Sequence, residues 1–146
     1  MTTRIDLQKT NYKTIPFRLL NEDDFLQCEQ IYKEYIQYKK FDTIYPIFEE
    51  DWSKGTIFGY YDEDELVAWS AYYEYPSKST AHADQFAWNY KNPKLKLGYK
   101  SLRSEIAYFK SKGFDYLILG DIYSYKQEIQ GFEYINFDSL GAFNNN

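Results

Sequence analysis

The chain has one cysteine and one histidine in 146 residues. A lone cysteine cannot close an internal disulfide, which favours a reducing setting. One His and one Cys cannot assemble the usual nitrogen–sulfur metal cluster, so no metal is expected. No positively charged start leads into an apolar run, and no apolar stretch approaches the roughly 20 residues that span a bilayer. The expectation is a soluble, unexported, cytoplasmic protein with no membrane partner. No Ser-His-Asp order or phosphate-loop spacing occurs. Cations are outnumbered, 17 against 22, and the net charge of −5 argues against broad affinity for nucleic acid.

What is abundant is aromatic surface: 21% of the chain, with 17 tyrosines, suits both packing and binding. The positive charge is also concentrated. From Lys91 to Lys112 run Lys91, Lys94, Lys96, Lys100, Arg103, Lys110 and Lys112 against Glu105 alone, a balance of +6 that leaves −11 for the rest. Such a patch in an acidic protein reads as a site for a small anion or as a solvated helix face.

The length fits a single domain, residues 1–146. Met1 to Asn11 reads as a loose, polar terminus. Tyr12 to Leu20 has strand character, limited by Pro16 to an edge or bulge. Asn21 then caps a helix to about Lys39, with Phe25, Cys28, Tyr32 and Tyr35 inward. Pro46 opens a short second helix through Trp52. Thr56–Tyr61 and Leu66–Tyr75 form a hairpin by pattern, although its turn lacks glycine. Thr80 to Tyr90 is a strand with Ala81, Ala83, Gln85 and Ala87 on one face and His82, Asp84, Phe86 and Trp88 on the other. A helix starting at Leu97 or Gly98 carries the stripe Tyr99, Leu102, Ile106 and Phe109, and Gly113 ends it. Tyr116 to Leu119 is a short apolar strand. Ile122 to Gln130 has helical potential, and Phe132 to Phe137 reads as a last strand. The fold class is α/β (α+β), a mixed and mostly antiparallel central sheet with helices on both faces.

This order, with a basic loop before the main helix, resembles the GNAT superfamily of N-acetyltransferases over Phe86 to Gly120, and more loosely over Gly59 to Phe132. Where that superfamily has Gln/Arg-x-x-Gly-x-Gly/Ala, this chain has Leu95-Lys96-Leu97-Gly98-Tyr99-Lys100, which keeps the first glycine. The local resemblance is stronger to the GNAT-like C-terminal domain of aminoacyl-tRNA–protein transferases. It rests on Asn92-Pro93, Leu95-Lys96-Leu97-Gly98, Tyr116-Leu117-Ile118-Leu119-Gly120 and Tyr125-Lys126. That family's cysteine-rich N-terminal region has no counterpart here.

Open amides from Leu97 to Ser101 (Leu97, Gly98, Tyr99, Lys100 and Ser101) at a helix start could meet a pyrophosphate, with Lys96 and Lys100 adding charge. The resemblance implies acetyl-CoA or another acyl-CoA as co-substrate, with Phe86 and Trp88 along its pantetheine arm. Acyl transfer to an amine needs a base and an acid. Glu74, His82 and Asp84 are the base candidates, with Glu74 and His82 carried forward; His82 has the intrinsic pKa nearest neutrality. The superfamily's acid is often a tyrosine before a terminal Gly-Phe, here Gly131-Phe132. Gln127 stands at that tyrosine's usual distance, and Tyr125 is the substitute.

The leading expectation is an acyl-CoA-dependent N-acyltransferase acting on a small-molecule or protein amine, with tRNA not favoured. The alternatives are an aminoacyl-tRNA-dependent transferase and a catalytically empty GNAT-like binding module.

Overall fold

The computed structural model describes residues 2–39, 55–88, 97–120 and 128–135. Their strands are β1 (Thr2–Asp6), β2 (Arg18–Leu19), β3 (Thr56–Asp62), β4 (Glu65–Tyr75), β5 (Thr80–Trp88), β6 (Tyr116–Gly120) and β7 (Phe132–Ile135). The helices are α1 (Phe25–Lys39) and α2 (Leu97–Ser111). The sheet order is β2-β3-β4-β5-β6-β1-β7. β5 and β6 run parallel, while β2–β3, β3–β4, β1–β6 and β1–β7 are antiparallel. The sheet is therefore mixed and largely antiparallel, flanked by helices, as the sequence pattern implies. The short helix expected at Pro46–Trp52 and most of Ile122–Gln130 lie outside the described residues.

The chain divides into two compact units, one of them Ile15–Tyr73 with Asp84–Leu102. In it, Asn21 accepts from the Asp23 amide at 2.9 Å while Asp24 accepts from the Asn21 amide at 3.0 Å. This reciprocal cap closes a turn that continues into α1. Phe25, Cys28, Tyr32 and Ile36 recur every three or four residues and are buried against Ile57, Leu66, Trp69 and Ala71. Each such buried side chain contributes about 1.5–3 kcal/mol. The Trp69 indole donates to the Cys28 carbonyl at 2.9 Å, satisfying a polar group in the centre of the contact.

The opposite sheet face carries Phe58, Ser70 and Tyr72, with Phe17 edge-on to Phe58 at 5.2 Å. On this face the Tyr60 hydroxyl donates to the Ser101 carbonyl at 3.4 Å, so α1 and the start of α2 lie on opposite sides. The hairpin turn that lacks glycine places Glu63 at φ 56°, where non-glycine residues are strained.

The other unit contains Met1–Thr14, Glu74–Ala83 and Arg103–Asn146. Here the expectation of a loose N-terminus is corrected. Thr3, Ile5 and Leu7 alternate with polar residues and are fully buried, and β1 lies between β6 and β7. Beyond it, the chain is tied down by hydrogen bonds: the Asn11 amide donates to Gln130 Oε1 at 2.9 Å, and the Gln130 amide donates to the Tyr12 hydroxyl at 3.0 Å. Lys110 donates to the Thr10 carbonyl, and the Arg103 guanidinium stands 5.5 Å from the Tyr12 ring centroid. Two cations of the basic run are thus engaged in tertiary contacts.

The apolar stripe of α2 is also displaced. Leu102, Ile106 and Phe109 are buried as expected, but so are Ser101, Ser104 and Glu105, while Tyr99 is 57% exposed. At about 100° per residue, this buried arc centres near Glu105 and leaves Tyr99 on its margin. No described helix is long and apolar enough to cross a membrane.

Candidate functional site

Of the expected cofactor-binding residues, Phe86 and Trp88 lie on β5, and Leu97, Gly98, Tyr99, Lys100 and Ser101 on α2. Phe86 is half-buried, and its ring lies edge-on to Tyr35 of α1 at 6.3 Å. A Cβ built on Gly98 would stand 3.9 Å from the Phe86 ring, ordinary contact distance, and Gly98 has no positive φ. Neither packing nor backbone conformation therefore requires glycine here, although glycine in a helix costs about 1 kcal/mol relative to alanine. Close approach of a ligand to the helix start is one reason for a glycine there.

Leu97 opens α2, so its first turn is made by Leu97, Gly98 and Tyr99. Tyr99 and Lys100 are exposed. Ser101 lies beyond the first turn with its side chain buried. Trp88 closes β5. Lys96, like Lys91 and Lys94, lies outside the described residues.

Of the base candidates, Glu74 and His82 are held differently. Glu74 pairs with Lys112 at 3.2 Å. Burial of Lys112 opposes its charge, but the hydrogen bond and attraction from Glu74 prevail and raise its pKa. His82 packs edge-on against Tyr75, ring centroids 5.3 Å apart. Because strand neighbours alternate, Glu74 points to the face opposite Tyr75. Desolvation lowers the His82 pKa, which keeps the imidazole neutral and able to accept a proton at neutral pH. The registered pairing of β5 with β6 ends at His82↔Ile118, whereas β5 continues to Trp88. Tyr125 lies outside the described residues. No group of three or more His, Cys, Asp or Glu among the described residues could hold a metal ion.

Sequence reading missed Arg4 of β1 and Glu133 of β7, whose side chains pair at 2.7 Å. The available signal was the alternation of Thr3, Ile5 and Leu7, hidden by the expectation of a loose terminus.

No family model matches the sequence, and no curated protein matches it. Solved structures do match in fold. One is the C-terminal domain of a candidate lysylphosphatidylglycerol synthetase from Agrobacterium fabrum, with TM-score 0.68, 10% identity, and 82% of this chain and 45% of that one covered. L-PGS from Bacillus licheniformis gives TM-score 0.67 and 15% identity over 99% of this chain and 51% of that one. A candidate acetyltransferase of the GNAT family from Novosphingobium aromaticivorans gives TM-score 0.64 and 16% identity over 92% and 59%.

The chain has a GNAT-like fold. It spans about half the length of each of the first two chains, one of which is itself only a C-terminal domain. These likenesses correct the partner expectation of a small-molecule or protein amine with tRNA not favoured.

Proposed function

We infer that this chain is a GNAT-fold transferase that takes an aminoacyl group from aminoacyl-tRNA. The observation that carries this reading is the fold likeness to the two synthetases, at TM-scores of 0.68 and 0.67. The matched chains are roughly twice as long, one of them being a C-terminal domain alone, so the activity is proposed for this chain as part of such a machine or as a shorter relative of it.

The chemistry asked of the chain is modest. An aminoacyl-tRNA is an activated ester. The acceptor nucleophile attacks its carbonyl carbon, and the C–O bond to the terminal ribose breaks. The proton lost by the nucleophile goes to a base, and the ribose oxygen leaves with a proton from an acid. We assign the base to His82, whose imidazole is kept neutral at pH 7 by desolvation. Tyr125 is the proposed acid on the strength of the superfamily resemblance. The start of α2, with Gly98 and exposed Lys100, would hold a phosphate of the donor.

Gel shift with aminoacylated and free tRNA at low salt, followed by transfer of radiolabelled lysine to acceptor, tests the proposal. Retention that falls steeply with salt is expected. No shift at low salt removes tRNA as the donor.

The GNAT acetyltransferase likeness supports a second reading, acyl-CoA as donor at the same helix start. Calorimetry with acetyl-CoA separates the two: heat with acetyl-CoA and no tRNA shift reverses their order. A binding module without catalysis predicts partner capture that Gly98→Glu leaves unchanged.

A further inference from the structure

Tyr75 closes β4, and His82 lies near the start of β5 across a short connection. Their rings meet at 73° with centroids 5.3 Å apart. An imidazole turns about its outer side-chain bond with little intrinsic preference, so packing has to choose the direction of each ring edge. An edge-on aromatic neighbour makes that choice. His82 Nε2 is buried while the residue as a whole is only half-buried, so its cover is one-sided.

The connection between the two strands is tightly held. Pro76 opens the 3-10 turn Pro76–Lys78, and Ser79 follows in the left-handed region at φ 51°. A non-glycine residue keeps that conformation only where its surroundings require it. The Ser79 carbonyl accepts from the Asp115 amide at 2.7 Å and the Tyr116 amide at 3.2 Å. The Thr80 hydroxyl donates to the Lys78 carbonyl at 2.8 Å. The hairpin end is thereby fastened to the start of β6, and His82 is in register with Ile118 of that strand. Fixed backbone thus carries both rings.

The charged and titratable groups of the described elements around His82 are Tyr73 on β4, Lys78 in the connection, Asp84 further along β5, Tyr116 on β6, Arg4 on β1 and Glu133 on β7. Arg4 is opposite Ile118 and pairs with Glu133. Glu74, between Tyr73 and Tyr75, pairs with Lys112 and points to the other face. Burial, and none of these charges, weakens the hold of the imidazole on a proton.

We propose that Tyr75 is a positioning residue for His82, its ring fixing the orientation of the imidazole and excluding water from one side of it. The consequence for transfer rests on the reading of His82 as the base; the positioning itself does not.

His82 is the one histidine of the chain, so its imidazole C–H signals identify themselves. The test follows them by NMR against pH in wild type, Tyr75→Phe and Tyr75→Ser. Cross-relaxation between the Tyr75 and His82 rings is expected in wild type, with a titration midpoint below the ordinary histidine value. Tyr75→Ser should raise the midpoint towards that value, about 6.5. Tyr75→Phe, which keeps the ring, should restore the wild-type midpoint. In transfer of radiolabelled lysine, Tyr75→Ser should lower kcat about tenfold or more with KM for aminoacyl-tRNA little changed. The rising limb of its pH–rate profile should move to higher pH, because a base with a raised pKa stays protonated further up the scale. The proposal is overturned if Tyr75→Ser titrates as wild type, or if Tyr75→Phe titrates as Tyr75→Ser. Should Tyr75→Ser fail to fold, the wild type decides, since absence of ring-to-ring cross-relaxation also overturns the proposal. A midpoint that follows the ring while lysine transfer is absent or keeps its pH profile sinks the base assignment alone.

Discussion

Gly131 and Asp6 touch so closely that no side chain fits between them. A Cβ on Gly131 would stand 2.4 Å from the Asp6 carbonyl oxygen, and Gly131 itself has φ +76°. The Asp6 amide donates to the Gly131 carbonyl at 2.9 Å, so the close approach fastens the turn before β7 to the end of β1. Gly131→Ala faces both a backbone clash and a left-handed φ. It should destabilise by about 2–4 kcal/mol, read as a lower urea midpoint. An unchanged midpoint would show that the turn is not held in this way.

Glu63 offers the reverse case. It occupies the left-handed region at φ 56° in an exposed hairpin turn, where glycine has no steric penalty. Glu63→Gly should raise stability by up to about 1 kcal/mol by relieving that strain. A fall in melting temperature would contradict this account of the turn.

Trp69 and Cys28 share a buried hydrogen bond, and their chemistry follows from that burial. Trp69→Phe removes the buried indole hydrogen bond and part of the core side-chain volume, and should cost about 1–3 kcal/mol, measured by denaturant unfolding. Burial, aided by Asp24, pushes the Cys28 thiol up to about 12. Native protein at pH 8 should resist alkylation by iodoacetamide, whereas urea-unfolded protein should react. Rapid labelling of the folded form would place Cys28 outside the core.

His82 should introduce a pH dependence on the acid side. Its folded pKa is lowered by desolvation, so below about 6.5 the unfolded chain binds the proton more readily. The stability contribution is complete above the unfolded pKa and declines as pH falls towards the folded pKa. His82→Gln should flatten the unfolding free energy as pH falls below about 6.5. An equal slope in the variant would assign that pH dependence to carboxylates.

Lys100 tests the phosphate site at α2 without disturbing the core, because it is exposed. Lys100→Gln should weaken tRNA binding and reduce its salt slope by about 1, with melting temperature unchanged. If the slope stays the same, Lys100 contacts no phosphate.

The sequence was most legible where local rules and burial agreed. The spacing of Phe25, Cys28 and Tyr32, the Asn21 cap, and the alternation around Phe58 and Trp69 each give the element that forms. Tyr99 misled because three of its stripe partners are apolar, and periodicity weighs only apolar residues. The true inward arc includes Ser101, Ser104 and Glu105, polar residues that become interior only once the surrounding structure encloses them. Likewise the basic run looked like one patch, yet Arg103, Lys110 and Lys112 contact Tyr12, Thr10 and Glu74 from distant parts of the chain.

By itself, the sequence determined α1, α2 and the strands β3 to β6 at their propensities and periods, and through them the mixed-sheet class. Those signals are local, carried by neighbours within a turn or a strand pair. The insertion of β1 between β6 and β7, and with it the pairing of Arg4 with Glu133, was decided only by tertiary structure. Those two residues are 129 positions apart, and no local period links them. They meet because β1 fills a slot whose hydrogen-bonding edges are supplied by strands near the other end of the chain.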